Sequence, residues 1–359
     1  MNQQLEIKIG KRWIGATQPS YFIADIAANH DGQLQRAKEL IRLAKQAGAD
    51  CAKFQHFKAS QIVSDQGFKK LGSAQSHQVN WKKSVYQVYE QYELNREWNT
   101  ELAKTANEVG IDFMTTPYDT EAVDSVDPFV LAWKIGSGDI TYVQLIEYVA
   151  KTNKPVMIAT GASSMDDVDR AMKVIFPINQ KLVLMQCNTN YTGSIENFKY
   201  INLNVLKTYK EKYPNVVLGL SDHSPGHTSV LGAISLGARV IEKHFTDDTT
   251  RIGPDHGFSM NPDTWKDMVL RSRELEAALG DGVKKIEDNE LQTAVLQQRC
   301  LRAKKQLQIG HLITLNDFEA LRPAVGAALK PYHLNAVLGK KLKVKLELGD
   351  ALMADSLED

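Results

Sequence analysis

The sequence predicts an α/β chain: a (β/α)8 TIM barrel followed by a small β-rich domain. Three observations carry this reading. Eight short apolar runs lie between residues 21 and 245, and helical patterns separate most of them. Strands enclosed on both faces read as near-continuous apolar runs, as these do, and their alternation with helices favours a barrel over other layouts. Nearly every run also ends in polar residues, and in a barrel all such ends converge on one face, where active sites lie. Finally, the rhythm changes after Gly282, where a polar stretch leads into short β-like pieces with glycine turns.

The elements follow in order. "LEIKIGKRWIGAT" (5–17) reads as a hairpin turning at Gly10-Lys11. "YFIADIAA" (21–28) is the first buried strand, and "LQRAKELIRLAKQAG" (34–48) an amphipathic helix stopped by Gly48. "DCAKFQHF" (50–57) is the second strand, and a long polar excursion follows to residue 83. A helix over 97–109 ends at Gly110 and leads into "IDFMTTPY" (111–118). "LAWKIGS" (131–137), "PVMIATG" (155–161), "LVLMQCNT" (182–189), "VVLGLSDH" (216–223) and "ARVIEKHF" (238–245) complete the eight. No G-x-G-x-x-G follows the first strand, which weakens a doubly wound dinucleotide fold. The predicted organisation is a barrel with its hairpin over 1–282, a charged linker over 283–296 and the second domain over 297–359.

Composition narrows the class. The 359 residues are 43% hydrophobic and 24% charged, with 43 basic and 43 acidic side chains, as in ordinary globular proteins. That balance gives no basic stripe for nucleic acid. No apolar run approaches a membrane span, and "MNQQLEIKIGKRW" lacks a signal-peptide core. Cys51, Cys187 and Cys300 are far apart, with no C-x-x-C. These features predict reduced thiols and a cytoplasmic protein without nucleic-acid or membrane partners.

The strand-end residues are Asn29-His30, Lys53 with Gln55, Thr115-Thr116, Lys134 with Ser137, Thr160, Thr189, Ser221 with His223, and Lys243-His244. Lys53 and Lys134 are candidate cations for a phosphate or carboxylate. Thr116, Ser137, Thr160 and Ser221 supply hydroxyls, and Gly136 and Gly138 supply backbone N–H groups. The competing reading has each lysine snorkel to solvent or pair with an acid. His223 and His244 end successive strands, so one metal ion is within reach of both; two nitrogens make an open site that leaves room for substrate and water. A structural, hydrogen-bonded histidine is the alternative. His227 lies past its strand and reads as structural, His30 is ambiguous, and His256 sits in a loop above the barrel. Asp25, Asp139 and Asp255 are placed to bind sugar hydroxyls or move a proton, or else to cap a helix or pair with a base.

"ANHDG", "KFQ", "TTPYD", "KIGSGD", "ATGAS", "LSDH" and "EKHFT", in that order, resemble the sialic acid synthase family. The tail "LRP…YHLNAVLGKKLK…LELGD" is similar to the antifreeze-like (SAF, β-clip) domain of that family. The match runs from residue 20 to 350 and covers most of the chain. The resemblance implies condensation of phosphoenolpyruvate with an N-acylated hexosamine, giving a nine-carbon 2-keto sugar acid and phosphate. It matches Lys53, Thr116, Lys134, Ser137 and Ser221 to phosphoenolpyruvate contacts, and His223 and His244 to ligands of manganese or magnesium. Gln55, Tyr191 and Asp255 match sugar contacts. Arg322 matches an arginine that one subunit inserts into the other's site, which implies a domain-swapped homodimer. Asp25 and Asp139 stand where many relatives have Glu, and Asp139 is the candidate for assisting proton movement. Ala159 replaces a serine, Thr189 a Ser or Asn, and Tyr118 a Phe near the sugar. The stretch 64–83 is distinctive and is expected to shape the sugar side. The acceptor is N-acetylmannosamine or a 2,4-diacetamido-trideoxyhexose of the legionaminate or pseudaminate type. The alternatives are a 3-deoxy-keto acid synthase that takes another sugar and a non-catalytic sugar-binding relative.

Overall fold

The computed structural model describes residues 6–71, 78 and 81–358. It divides into two compact units, one ending at Gly280 and one beginning at Asp281. Strands β1 (Glu6–Ile9) and β2 (Arg12–Gly15) form the hairpin, with Ile9 opposite Arg12 across the Gly10-Lys11 turn. Eight parallel strands then close into a barrel: β3 (Tyr21–Asp25), β4 (Cys51–His56), β5 (Asp112–Pro117), β6 (Trp133–Ile135), β7 (Val156–Ala159), β8 (Leu182–Cys187), β9 (Val217–Asp222) and β10 (Val240–His244). Each neighbour pairs with the next, and β10 returns to β3 with His244 opposite Asp25.

Strand alternation sorts the side chains into two cores. Tyr21, Ile23, Cys51, Met114, Met157 and Met185 fill the barrel interior together with Ile7, Ile9 and Ile14 of the hairpin. The hairpin therefore plugs the N-terminal end, where Arg12 donates to Asp50 and the Tyr21 hydroxyl donates to Asp112 at 2.7 Å. Phe22, Ala24, Phe54, Phe113, Ile158 and Leu184 face outward onto the helices. With one end and the wall apolar, the interior can hold a polar site only at the C-terminal ends.

Helix α1 (Leu34–Gln46) shows why the outer layer is helical: Ala37, Leu40, Ile41 and Ala44 recur at the spacing of one helix face, and all four are buried. The polar excursion after β4 contains α2 (Ala59–Ile62), α3 (Asp65–Lys70) and α4 (Val85–Gln91), the last started by a Ser84–Gln87 capping box. Part of the 64–83 stretch, residues 72–77, 79 and 80, lies outside the described residues. Helix α5 (Asn99–Val109) ends on Gly110 at φ +70, a left-handed cap that favours glycine. α6 (Thr120–Val126), α7 (Val143–Ala150), α8 (Met165–Ile175), α9 (Val205–Lys212), α10 (Thr228–Ser235) and α11 (Pro262–Leu279) complete the shell. No described helix is long and apolar enough to cross a membrane.

The second unit holds α12 (Leu291–Gln297) where the sequence predicts a plain linker; charge runs hide a short helix whose Val295 carbonyl accepts from the Ala324 amide. β11 (Cys300–Ala303) and β12 (Phe318–Leu321) pair antiparallel, and α13 (Leu334–Val337) follows. Leu301, Leu307, Ile313, Phe318, Leu342 and Leu352 form the core of this unit.

Candidate active site

Two adjoining cavities occupy the C-terminal mouth of the barrel and share Gln55, Tyr118, Tyr191 and His244. The inner one is built by alternate residues at successive strand ends: Asp25, Lys53, Thr116, Lys134, Ser221 and Glu242 all face inward. Both lysines are buried, and neither snorkels to solvent. The Lys53 ammonium donates to Asp25 at 2.7 Å and to Thr116 at 3.1 Å. The Lys134 ammonium donates to Glu242 at 2.6 Å and approaches Ser221 at 3.4 Å. Burial alone would strip the proton from Lys53, but Asp25 and Glu242 reverse that and raise its pKa. Burial pushes the Asp25 carboxyl up, and the neighbouring Lys53, His244 and Lys134 outweigh it, so Asp25 is held well below its usual range. Ser137 accepts from the Gly161 amide at 2.9 Å and also bonds the Cys187 sulfur. Gly161 has no room for a side chain: a Cβ there would stand 2.4 Å from Thr189 and 2.9 Å from the Ser137 oxygen.

Glu242 is the residue that sequence reasoning missed. One oxygen reaches Lys134 at 2.6 Å and Lys53 at 3.8 Å, while the other is buried with no hydrogen-bond partner among the described residues. The signal was present: Glu242 is two residues before His244 on one strand, so both face the same way. By the same rule Lys243 turns outward, contrary to its reading as a strand-end site residue, and pairs with Asp222 behind the wall. Thr160 is also corrected. Its hydroxyl donates to the Met185 carbonyl and accepts from Tyr209, on the helix side of the barrel.

The other predicted residues fall as follows. His223 lines the inner cavity and Asp255 the outer one. Asp255 accepts from the Ala28 amide at 3.1 Å, and burial pushes its carboxyl up to about 6. Asp139 ends a 3₁₀ turn (Ser137–Asp139) and is not part of either cavity wall. Its carboxylate and the Tyr118 hydroxyl stand on the same side of Gly136, 3.6 and 3.7 Å from where a Cβ would lie. Burial raises Asp139 to about 6. Thr189 packs beside Gly161 rather than lining the cavity. Arg322 is exposed in the second unit, where its Nε donates to the Gln297 carbonyl at 2.6 Å. His30 and His256 are structural: His30 accepts from the Gly32 amide, and buried His256 bridges Thr246 and Asp31. His227 pairs with Asp267 at 3.2 Å.

The histidine pair fits a divalent metal. Their ring centroids are 5.3 Å apart. His223 Nδ1 lies 2.9 Å from the Asn188 carbonyl, which can only accept, so Nδ1 carries a proton and Nε2 is the nitrogen left to face an ion; burial lowers the ring's pKa, but Cys187 and this carbonyl outweigh it and raise it. His244 Nδ1 is buried without a hydrogen-bond partner among the described residues, and burial drives the ring down to about 3, so it is neutral at pH 7. Asp25 and Asp255 stand 3.6 and 3.8 Å from the His244 ring nitrogens. Among the described residues no three His, Cys, Asp or Glu side chains converge tightly enough to enclose an ion. An ion held here therefore keeps open positions for ligand and water.

Comparison with known proteins agrees with this arrangement. The NeuB family model matches residues 40–284, and the SAF domain model matches residues 298–358. The chain is 35% identical to the N,N'-diacetyllegionaminic acid synthase of Legionella pneumophila, over 96% of each chain. It is 31% identical to the N-acetylneuraminate-9-phosphate synthase of Homo sapiens, over 100% of this chain and 98% of the other. The crystal structure of the sialic acid synthetase of Leptospira borgpetersenii in complex with citrate aligns with a TM-score of 0.71 at 26% identity, covering 81% of this chain and 95% of that one. A buried two-lysine pocket at the mouth of an eight-stranded barrel, a SAF domain following it in the sequence and full-length relatives of this kind place the chain in the NeuB family.

Proposed function

We propose that this chain is a phosphoenolpyruvate-dependent nonulosonic acid synthase acting on an N-acylated hexosamine. The observation that carries the reading is the junction of the two cavities. A lysine-lined anion pocket and an aromatic-walled pocket meet at Gln55, Tyr118, Tyr191 and His244. That is the arrangement needed to bring C3 of phosphoenolpyruvate against the aldehyde carbon of a sugar.

Lys53 and Lys134 hold the phosphate and carboxylate, with Thr116, Ser137 and Ser221 donating hydrogen bonds. The C3–C1 bond forms, water adds at C2 of the former enol, and phosphate departs from the resulting tetrahedral carbon. The lysines offset the charge on the departing phosphate. His223 and His244 would hold the ion, Mn²⁺ or Mg²⁺. When bound, it supplies Lewis acidity toward a carbonyl oxygen. Asp139, with its carboxyl near 6, is tuned to take or give a proton close to neutral pH. Asp255 and Gln55 face the sugar hydroxyls. In a homodimer, Arg322 is the residue offered to the partner's site.

The test is phosphate release by purified protein with phosphoenolpyruvate, Mn²⁺ and a panel of N-acyl hexosamines. Release that depends on one sugar supports the reading. Absence of turnover with every sugar, together with no metal retention, overturns it. A sugar-phosphate acceptor is disfavoured because no Lys or Arg is among the described residues that line the outer cavity.

A further inference from the structure

Strand β3 ends in a turn with an unusual backbone. Ala27 stands at φ +46, a left-handed conformation that a side chain disfavours. Two successive amides of this turn point at two different carboxylates: the Ala27 N–H donates to Asp25 and the Ala28 N–H donates to Asp255, each at 3.1 Å. Those carboxylates flank one imidazole, with Asp25 3.6 Å from His244 Nε2 and Asp255 3.8 Å from His244 Nδ1. A strained turn of this kind persists only where its surroundings over-determine it.

Asn29 supplies that restraint. It is fully buried, and its amide donates at 2.9 Å to the carbonyl of Phe245, the residue after His244, and at 2.9 Å to the Ser259 hydroxyl. A carbonyl can only accept, so the Phe245 contact fixes which way the amide faces. Ser259 passes the restraint on by donating to the Asp255 carbonyl at 2.7 Å. The Asn29 N–H donates to the Ile26 carbonyl at 2.9 Å and closes the turn around Ala27, while the Asn29 carbonyl accepts from Arg36 at 2.7 Å. The side-chain oxygen is buried without a hydrogen-bond partner among the described residues, so the side chain is placed for its two N–H groups. One residue thus joins the three segments that carry Asp25, His244 and Asp255.

We infer that Asn29 is a positioning residue for Asp255, acting through Ser259 and the Ala27–Ala28 turn, and thereby sets how the acceptor sugar is held. The inference rests on the synthase reading, in which Asp255 faces the sugar hydroxyls. The lysines of the anion pocket stand on β4 and β6, away from this turn, and are held by Asp25 and Glu242. His256, bonded to Thr246 at 2.7 Å and to Asp31 at 3.0 Å, ties the 255–259 turn from its other side. Loss of the Asn29 amide therefore shifts Asp255 without releasing the turn.

The experiment measures kcat and both KM values of wild type, Asn29→Ala and the milder Ser259→Ala, each alone and combined with Asp255→Asn. The substrates are phosphoenolpyruvate, with Mn²⁺, and the N-acyl hexosamine that wild type turns over best. The sugar KM should rise by about tenfold in Asn29→Ala and about threefold in Ser259→Ala, while the KM for phosphoenolpyruvate stays within about twofold. Beside Asp255→Asn, either substitution should add less than about twofold, because the group it positions is already lost. A lower folded fraction reduces kcat and leaves both KM values alone, so a purely structural role gives a different result. Ser259→Ala removes a single oxygen and carries the comparison if Asn29→Ala does not fold. An unchanged sugar KM in the folded variants, an equal rise in both KM values, or the full effect persisting beside Asp255→Asn overturns the inference and leaves the synthase reading standing. Absence of sugar-dependent phosphate release from wild type with every N-acyl hexosamine overturns the synthase reading, and this inference falls with it.

Discussion

Asp222 and Lys243 form a fully buried ion pair, 2.5 Å from carboxylate to ammonium, behind the barrel wall. Strand register sets them directly opposite each other on β9 and β10. Each stands one residue before a site histidine, His223 or His244, so the pair pins the height at which the two imidazoles face each other. The Ser224 carbonyl accepts from the same ammonium, and the Ser224 hydroxyl ties Asp222 to Ser229 of α10. Lys243→Met leaves a buried carboxylate unpaired and should cost about 3–5 kcal/mol in urea unfolding. The double variant Asp222→Asn, Lys243→Met should recover part of that loss. If register is what the pair controls, Mn²⁺ affinity by calorimetry stays weakened in the folded double variant.

Glu242 yields a prediction with opposite signs for binding and turnover. Its carboxylate sits between the two lysines that an incoming anion must reach. Glu242→Gln removes the competing charge, so inorganic phosphate and phosphoenolpyruvate should bind more tightly. The lysines lose the group that orients them, so kcat should fall by tenfold or more. Weaker phosphoenolpyruvate binding in this variant would contradict the proposed geometry.

Much of the fold was legible because its physics is local. Enclosed strands such as "LVLMQCNT" have no solvent face and so read as unbroken apolar runs, and Gly110 marks a helix end that needs positive φ. The inner pocket was legible where a polar residue interrupts such a run, as Lys53 and Lys134 do. What was not legible depends on facing and on distant segments. Thr160 and Lys243 are polar strand-end residues like Ser221, and only the barrel register shows that they point outward. The outer cavity joins Phe57, just past β4, with Ile62 and Val88 of two separate short helices, and no periodicity spans them.

His223→Ala should separate a ligand from a structural histidine. Among the described residues the ring's short hydrogen bond is the Nδ1 donation to the Asn188 carbonyl, worth about 1 kcal/mol. The melting temperature should therefore change little. Mn²⁺ binding by calorimetry should drop by at least about a hundredfold if half of the protein's metal ligands are removed. Chelation should likewise abolish phosphate release, and added Mn²⁺ should restore it.

In the second unit, Asp317 is a buried carboxylate that accepts from His311 at 2.8 Å and from both the amide and the hydroxyl of Thr314 at 2.8 Å, with Lys305 at 3.2 Å. Burial pushes its pKa up, but these donors outweigh it and hold the carboxyl far below the ordinary 3.8. A depressed carboxyl contributes stability above its unfolded value and loses it as pH falls through the folded one. Asp317→Asn should therefore destabilise the unit by about 1–3 kcal/mol at pH 7. The gap between variant and wild type should close as pH drops below about 4. Hydrogen exchange of residues 300–321 in the full-length protein measures both.

Asp139 carries the pH prediction for catalysis. Burial raises its carboxyl from 3.8 to about 6, which is the opposite sign to Asp317. Between those values the folded protein holds a proton that the unfolded chain has released, so stability falls as pH rises through this window. Above it, Asp139→Asn should be the more stable protein, by at most about 2–3 kcal/mol, and below pH 4 the two should converge. Activity moves the other way. If the ionised carboxylate takes the proton, kcat/KM of the wild type rises with pH through about 6 and then levels. Asp139→Asn should remove that acid limb and lower turnover by about a hundredfold or more. A variant that gains stability above pH 6 but keeps the wild-type pH–rate profile would show that the proton is handled by another group.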